Sequence, residues 1–272
     1  MPKQRVVFCT YPGVYSDIVL DELLKAERIE LVAVVISRRI LRKDYHPITA
    51  ILRQVQQSGL RYAAYLLAVT GLYSGLQRLS GQPTLRQRLK QQCIPLLETR
   101  DINNATGRQF LSAASADILL TAHFNQLLDM SVLEASGLTG LNIHPSLLPA
   151  YKGVDPAFYA LLRREPSTGV TVHYLAQSFD SGDILQQQAL QIRWHDSLLS
   201  LNMKLFKLGA VCAVEQITRF ANAEIQPGQA QSGSGNYDSW PNPYETRQFR
   251  RQRKFLRWKE LWRFTRCFVV RN

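Results

Sequence analysis

The 272-residue sequence has no cysteine pair at CxxC spacing, no apolar run of twenty residues and a shortage of acidic side chains. Cys9, Cys93, Cys212 and Cys267 are scattered, and no cysteine–histidine cluster has zinc spacing, so neither a disulfide framework nor a metal site is expected. The opening MPKQRVVFCTY lacks the apolar core of a signal peptide, and the expected compartment is the reducing cytoplasm. The stretch 62–76 carries no charge between Arg61 and Arg78, but its fifteen residues fall short of the roughly twenty that span a bilayer. A buried helix or an oligomer contact is preferred there to an interfacial helix. No G-x-G-x-x-G follows the first predicted strand, which argues against a dinucleotide cofactor.

Acid is short by twelve charges, 33 Lys plus Arg against 21 Asp plus Glu, and the deficit is local. Residues 244–272 hold ten basic side chains and two acidic ones, so the rest of the chain is nearly balanced. A basic appendage of this kind points to an anionic surface near the C-terminus. The 46% apolar and 20% charged composition is ordinary for a globular chain. At this length about three quarters of the unfolded surface can be buried, so no metal or disulfide is needed to hold the fold.

Apolar runs alternate with helical periodicity in the α/β manner. Strands are predicted at 6–9, 31–36, 94–97, 117–121, 141–144, 170–175 and 184–192, and helices at 15–27, 104–114, 155–164 and 197–221. Pro12 and Gly13 mark the first turn, with Ser16 or Asp17 as candidate helix caps. The pattern breaks over about 38–90, read as a helical insertion. The resulting division is a catalytic domain at 1–225, a linker at 226–243 and a basic amphipathic tail at 244–272.

The chemically informative block is 141–187. Asn142 and His144 stand two apart at the end of an apolar strand, so they share a face, and Pro145 stops the strand there. The carboxyl edge of a parallel sheet is where ligands bind. Asp180 follows in a Ser-Phe-Asp-Ser-Gly turn. An amide, an imidazole and a carboxylate at one edge suit acid–base work and stabilisation of an oxyanion. Each also has a plain structural reading, as a strand end or a turn residue.

The block resembles the formyltransferases that use 10-formyltetrahydrofolate. Their pattern stands here as Asn142-Ile143-His144-Pro145-Ser146-Leu147-Leu148-Pro149, then Thr168-Gly169-Val170-Thr171-Val172-His173, then Asp180-Ser181-Gly182. The resemblance covers about 3–37 and 94–221, with the insertion and tail unmatched. It implies an α/β, Rossmann-like core with a mostly parallel sheet, and 10-formyltetrahydrofolate as formyl donor. It also implies catalytic roles for Asn142, as donor to the developing oxyanion, for His144, in proton transfer, and for Asp180, which charges and orients the histidine. The stretch 121–128 matches the loop that holds the pteridine, which assigns Phe124, Gln126, Leu127 and Leu128, with Asp180, to the cofactor. His123, Lys152 and His173 are candidate substrate contacts. An alkyl amine has a pKa of about 10.4, so it arrives protonated and needs a base. One well-placed donor to the oxyanion is worth roughly 3 kcal/mol.

Among relatives with this core, the expected acceptor is a small primary amine on a sugar, an amino acid or a lipid-linked metabolite. The segment 153–159 loosely resembles the sugar-amine enzymes. A tRNA acceptor ranks low, because only 51 residues follow 221 and Lys152 stands where arginine is usual. The alternatives are a formyltetrahydrofolate hydrolase and a formyltransferase-like protein that only binds. For the tail, a helix would place Phe255, Trp258, Trp262 and Val269 on one side, with Leu261 and Phe268 close by, and Lys259, Arg263 and Arg266 opposite. That suits either peripheral binding to an anionic membrane, at the inner face, or packing on the protein's own body or a second subunit, a homo-oligomer.

Overall fold

Strand β1 (Gln4–Thr10) sends Val6 and Phe8 into one apolar layer and Val7 and Cys9 into the other, the alternation of a strand buried on both faces. The computed structural model describes residues 3–41, 45–222, 227–233 and 235–267. Around β1 lie β2 (Ile29–Ser37), β3 (Leu96–Thr99), β4 (Ile118–Ala122), β5 (Thr139–His144), β7 (Ser167–Tyr174) and β8 (Ile184–Gln191). Their order is β3-β2-β1-β4-β5-β7-β8. The first five run parallel and the last two pairings are antiparallel, which is the expected Rossmann-like α/β core. The strand order reverses at β1, between β2 and β4, so the crevice beyond those carboxyl ends is the place for a ligand.

Helices α1 (Val14–Lys25) and α9 (Leu198–Ala221) pack together on one face of the sheet. Helices α6 (Ala105–Ala113) and α7 (Met130–Ser136) contribute Leu111, Val132 and Leu133 to the layer on the other. Gly209 lets α9 approach β5, since a Cβ there would stand 2.4 Å from Ile143 Cγ2. Asn104 caps α6, its side chain accepting from Gly107 N, and Ser197 caps α9, accepting from Ser200 N, whereas the caps expected from the sequence were at α1. There Gly13 takes the cap position and the Ser16 hydroxyl reaches back to its backbone, while Asp17 is buried.

Asp17 is buried because the insertion covers it. The insertion comprises α2 (Pro47–Ser58), α3 (Leu60–Leu67), a π-helical turn (Ala68–Leu72), α4 (Tyr73–Leu79) and α5 (Leu85–Gln91). Tyr62, Tyr65, Val69 and Tyr73 recur at three- and four-residue spacing, and all are buried against the body. Their hydroxyls find partners: Tyr73 donates to Asp17 Oδ2 at 2.9 Å, Tyr62 to Asp155 Oδ2 at 2.8 Å, and Tyr65 bonds Tyr15. The uncharged stretch is thus a buried helix on its tyrosine face, while Leu67 and Leu72 are exposed.

The tail does not form one continuous helix. Helix α10 (Pro243–Gln252) and helix α11 (Trp258–Cys267) flank Phe255, which stacks on Phe249 with ring centroids 4.9 Å apart, and Phe249 stacks on Phe158 at 4.7 Å. Phe249 and Leu261 are wholly buried. The carbonyls of Lys254 and Phe255 accept from Leu198 N and Leu199 N, two of the amides that the start of α9 leaves without a helical partner. The face assigned to a membrane therefore packs, through Phe255 and Leu261, against the protein's own body, with Trp258 and Trp262 exposed at its edge. The side chains of Arg263 and Arg266, and the whole of Phe268 and Val269, lie outside the described residues. Among the described residues no helix is long and apolar enough to cross a membrane.

Residues 227–233 and 235–238, within the expected linker, are bound to the body. Gln229 bridges Ile184, and β9 (Tyr237–Asp238) pairs with β6 (Lys152–Gly153) in the loop that follows β5. Helix α8 (Pro156–Leu162) starts directly after that loop.

Candidate active site

Asn142, in β5, lies in register with Thr121 on β4 and with His173 on β7. The three side chains bond along that row. The His173 Nδ1 is 2.7 Å from the carbonyl of Tyr174, which can only accept, so Nδ1 carries the proton. Burial, with the nearby charge of His144, pushes the His173 pKa down to about 4, so its Nε2 is a free acceptor at neutral pH. Asn142 Nδ2 donates to it at 3.0 Å, and Thr121 Oγ1 donates to Asn142 Oδ1 at 2.6 Å. The amide can then point only one way. Its second N–H has no acceptor among the described residues.

His144 and Asp180 meet at the same edge, Nδ1 to Oδ1 at 3.1 Å, both nearly excluded from solvent. The Nε2 of His144 lies 2.9 Å from the carbonyl of Tyr151. Both ring nitrogens thus face acceptors, which suits the imidazolium. Burial opposes that charge, but the Asp180 carboxylate and the Tyr151 carbonyl outweigh it and raise the His144 pKa above 6.5. Burial would also raise the Asp180 pKa; the His144 charge and the Gly153 N–H donating to Oδ2 at 2.9 Å hold it down at about 2. Gly182 permits the turn that carries Asp180, since a Cβ there would come 1.8 Å from the Tyr174 carbonyl oxygen.

Leu127 and Leu128 line a cavity of about 860 Å³, together with Arg39, Asn103, Met130 and Gln177. None of Asn142, His144 and Asp180 lines it, and Gln177 precedes Asp180 by three residues. The lining mixes leucine and methionine with Arg39, Asp101, Asp129 and Glu134. Phe124 and Gln126 are placed elsewhere. Phe124 packs on the core layer under α6 and α7. Gln126 is buried and spends its side chain on the protein, accepting from Ile102 N at 2.8 Å and donating to Ser37 Oγ and the Thr99 carbonyl. It staples the ends of β2 and β3, a role only the strand order creates.

His123 sits in an aromatic box of Tyr11, Tyr15 and Phe206, with Nδ1 3.3 Å from the Tyr11 carbonyl. Burial lowers its pKa to about 4 and leaves it neutral. His173 acts on Asn142 from within the sheet. Lys152 lies half-buried on β6, where its charge opposes protonation of both His144 and His173. Among the described residues no group of acidic, histidine or cysteine side chains is arranged to hold a metal ion.

Several residues of the site carry no sequence signal. Tyr151 and Gly153 act through backbone atoms, and Gln231 and Asn236 come from the polar stretch read as a linker. Thr121 did have a signal, since it ends the strand beside Asn142, but only the register shows that the two bond.

A parallel sheet edge carrying an amide, an imidazolium and a carboxylate defines a class of group-transfer site. The formyl transferase family matches residues 48–217, and the chain belongs to that family. The match begins inside the insertion that the sequence reading left unmatched. A methionyl-tRNA formyltransferase of Listeria monocytogenes is 32% identical over 151 residues, 56% of this chain and 48% of its own length. The chain thus spans about half the length of the curated relatives it matches. In fold it is similar to phosphoribosylglycinamide formyltransferase of Anaplasma phagocytophilum, with a TM-score of 0.57, 18% identity and coverage of 86% of this chain and 98% of that one. It is similar also to an N-formyltransferase of Helicobacter canadensis in complex with folinic acid and dTDP-3-aminofucose, with a TM-score of 0.55, 18% identity and coverage of 88% and 71%. The methionyl-tRNA formyltransferases overturn the low rank given to tRNA, which rested on the length after 221 and on Lys152.

Proposed function

We propose that the protein transfers a formyl group from 10-formyltetrahydrofolate to a primary amine. The observation that carries this reading is the convergence of Asn142, His144 and Asp180, each with its hydrogen-bonding direction settled by a neighbour. Leu127, Leu128 and Asp180 would hold the folate, whose contribution is the activated formyl group. The Helicobacter canadensis neighbour is described with a reduced formyl folate, which supports that donor.

The chain's own residues do the rest. The second Asn142 N–H can donate to the formyl oxygen, and the His144 imidazolium, with both its N–H groups held by Asp180 and the Tyr151 carbonyl, adds the field of its positive charge. The incoming amine loses one proton and the departing nitrogen gains one, so the transfer balances with His144 still charged. Asp180 stays ionised throughout and keeps the histidine charged at rest. The acceptor belongs to the class of primary amines, whether on a nucleotide-linked sugar, on an amino acid, on a lipid-linked metabolite or on an aminoacyl-tRNA.

A transfer assay with 10-formyltetrahydrofolate and one acceptor of each kind tests this. One acceptor should be formylated, and Asn142→Ala, His144→Ala and Asp180→Ala should each abolish turnover while the protein stays folded. If no acceptor is formylated and the folate does not raise the melting midpoint, the reading fails.

A further inference from the structure

The rear of the catalytic pair is held by one short loop. His144 and Asp180 face each other through Nδ1 and Oδ1, which leaves Nε2 and Oδ2 pointing away. The Tyr151 carbonyl takes the first of these and the Gly153 N–H takes the second, each at 2.9 Å. Two backbone groups only two residues apart thus set both the charge and the orientation of the pair. The loop is not in a conformation it would keep unaided. Tyr151 (φ 58°) and Asp155 (φ 48°) are left-handed residues other than glycine, and Gly153 has φ 98°.

What holds the loop comes from 85 residues further along the chain. Asn236 Oδ1 accepts from Tyr151 N at 2.7 Å, and the Asn236 carbonyl accepts from Lys152 N at 2.9 Å. The Asp238 carbonyl accepts from Val154 N at 2.8 Å, which completes the β6–β9 pairing. Asp238 is in turn fixed by Arg163, through bonds of 2.8 and 2.6 Å. From the same segment Gln231 Nε2 donates to the carbonyls of Asp180 and Gly182, at 2.9 and 2.8 Å, and so grips the catalytic turn itself.

We infer that residues 229–233 and 235–238 are a positioning strap for His144 and Asp180, with Asn236 and Gln231 as its principal positioning residues. The strap lies outside the segment that the formyl transferase family matches. It never touches the reacting atoms. Asn236 sets the loop that grips the back of both groups, and Gln231 sets the turn that delivers the carboxylate. The inference rests on the proposed role of the pair for its catalytic consequence, but its physical content does not depend on any substrate.

The groups facing His144 are Asp180, Lys152 and, through its contact with Asp180, His173; the strap changes none of these charges. It changes how the loop presents a carbonyl to the imidazolium and an N–H to the carboxylate. Both bonds favour the charged forms, so loosening the loop should make His144 easier to deprotonate.

NMR titration of the His144 imidazole in the full chain, without substrate, reads this directly. In Asn236→Ala the midpoint should fall by about one pH unit, a tenfold loss of proton affinity. Gln231→Leu, which leaves the loop bonds intact and releases the turn, should also lower it. With an active acceptor in hand, kcat should fall at least tenfold in Asn236→Ala with little change in KM. An unchanged His144 midpoint in both Asn236→Ala and Gln231→Leu would overturn the strap. Absence of formyl transfer in the wild type, with the midpoint shifts present, would overturn only the proposed function.

Discussion

Asn142 donates to the Nε2 of His173, and the carbonyl of Tyr174 on the far side of the imidazole fixes the direction of that bond. A neutral histidine inside the sheet thus aims a catalytic amide. His173→Leu keeps the volume but frees the amide to turn over. Turnover should drop by roughly ten- to a hundredfold, the cost of misplacing one group, with folate affinity near wild type. Steady-state kinetics beside a direct folate-binding titration separates the two.

The ion pair of His144 and Asp180 makes stability depend on pH in a defined window. The His144 pKa is raised above 6.5, so its share is complete below pH 6.5 and is lost as pH climbs through the folded value. Asp180 is depressed to about 2, so its share is complete above pH 3.8 and is lost as pH falls from there toward 2. These are two sides of one interaction, complete between pH 3.8 and 6.5. Melting midpoints of wild type and Asp180→Asn should differ most inside that window and converge on either side.

Asp17 works in the opposite sense. Its Oδ1 is buried without a hydrogen-bond partner, and burial raises its pKa to about 6 despite the Tyr73 and Gln77 bonds to Oδ2 and the charge of Arg88. The folded state therefore binds the proton more tightly than the unfolded chain, and the ionised form costs stability fully above pH 6. The cost fades as pH falls from 6 to 3.8. Asp17→Asn should raise the melting midpoint by several degrees at pH 8 and have little effect near pH 4. Equal shifts at both pH values would place the effect in packing instead.

Phe249 links the tail to the body through its stacks on Phe158 and Phe255. Phe249→Ala should lower unfolding free energy by about 3–5 kcal/mol, as for other buried phenylalanines. Urea denaturation measures it. A loss under 1 kcal/mol would mean that α10 contributes little to the fold.

The strands and the main helices were legible from local pattern, and so were Asn142, His144 and Asp180 as candidates. Apolar runs and alternation depend on residues a few positions apart, and so does the placement of Asn142 and His144 on one face of β5. The partners of those residues were not legible. Thr121 and His173 reach Asn142 only through strand register, and the partners of Gln126, at 37, 99 and 102, come together only at the ends of β2 and β3. The polar stretch 227–238 looks like a linker by composition, since Gly, Ser, Gln and Asn lack apolar surface to bury. In the folded protein the same amides supply the hydrogen bonds that the loop after β5 requires. The tail shows the converse. Its amphipathic pattern determined that Phe255 and Leu261 would be covered, and only the tertiary structure decided that the protein's own aromatic core would cover them. Periodicity specifies a face to bury but says nothing of what lies against it.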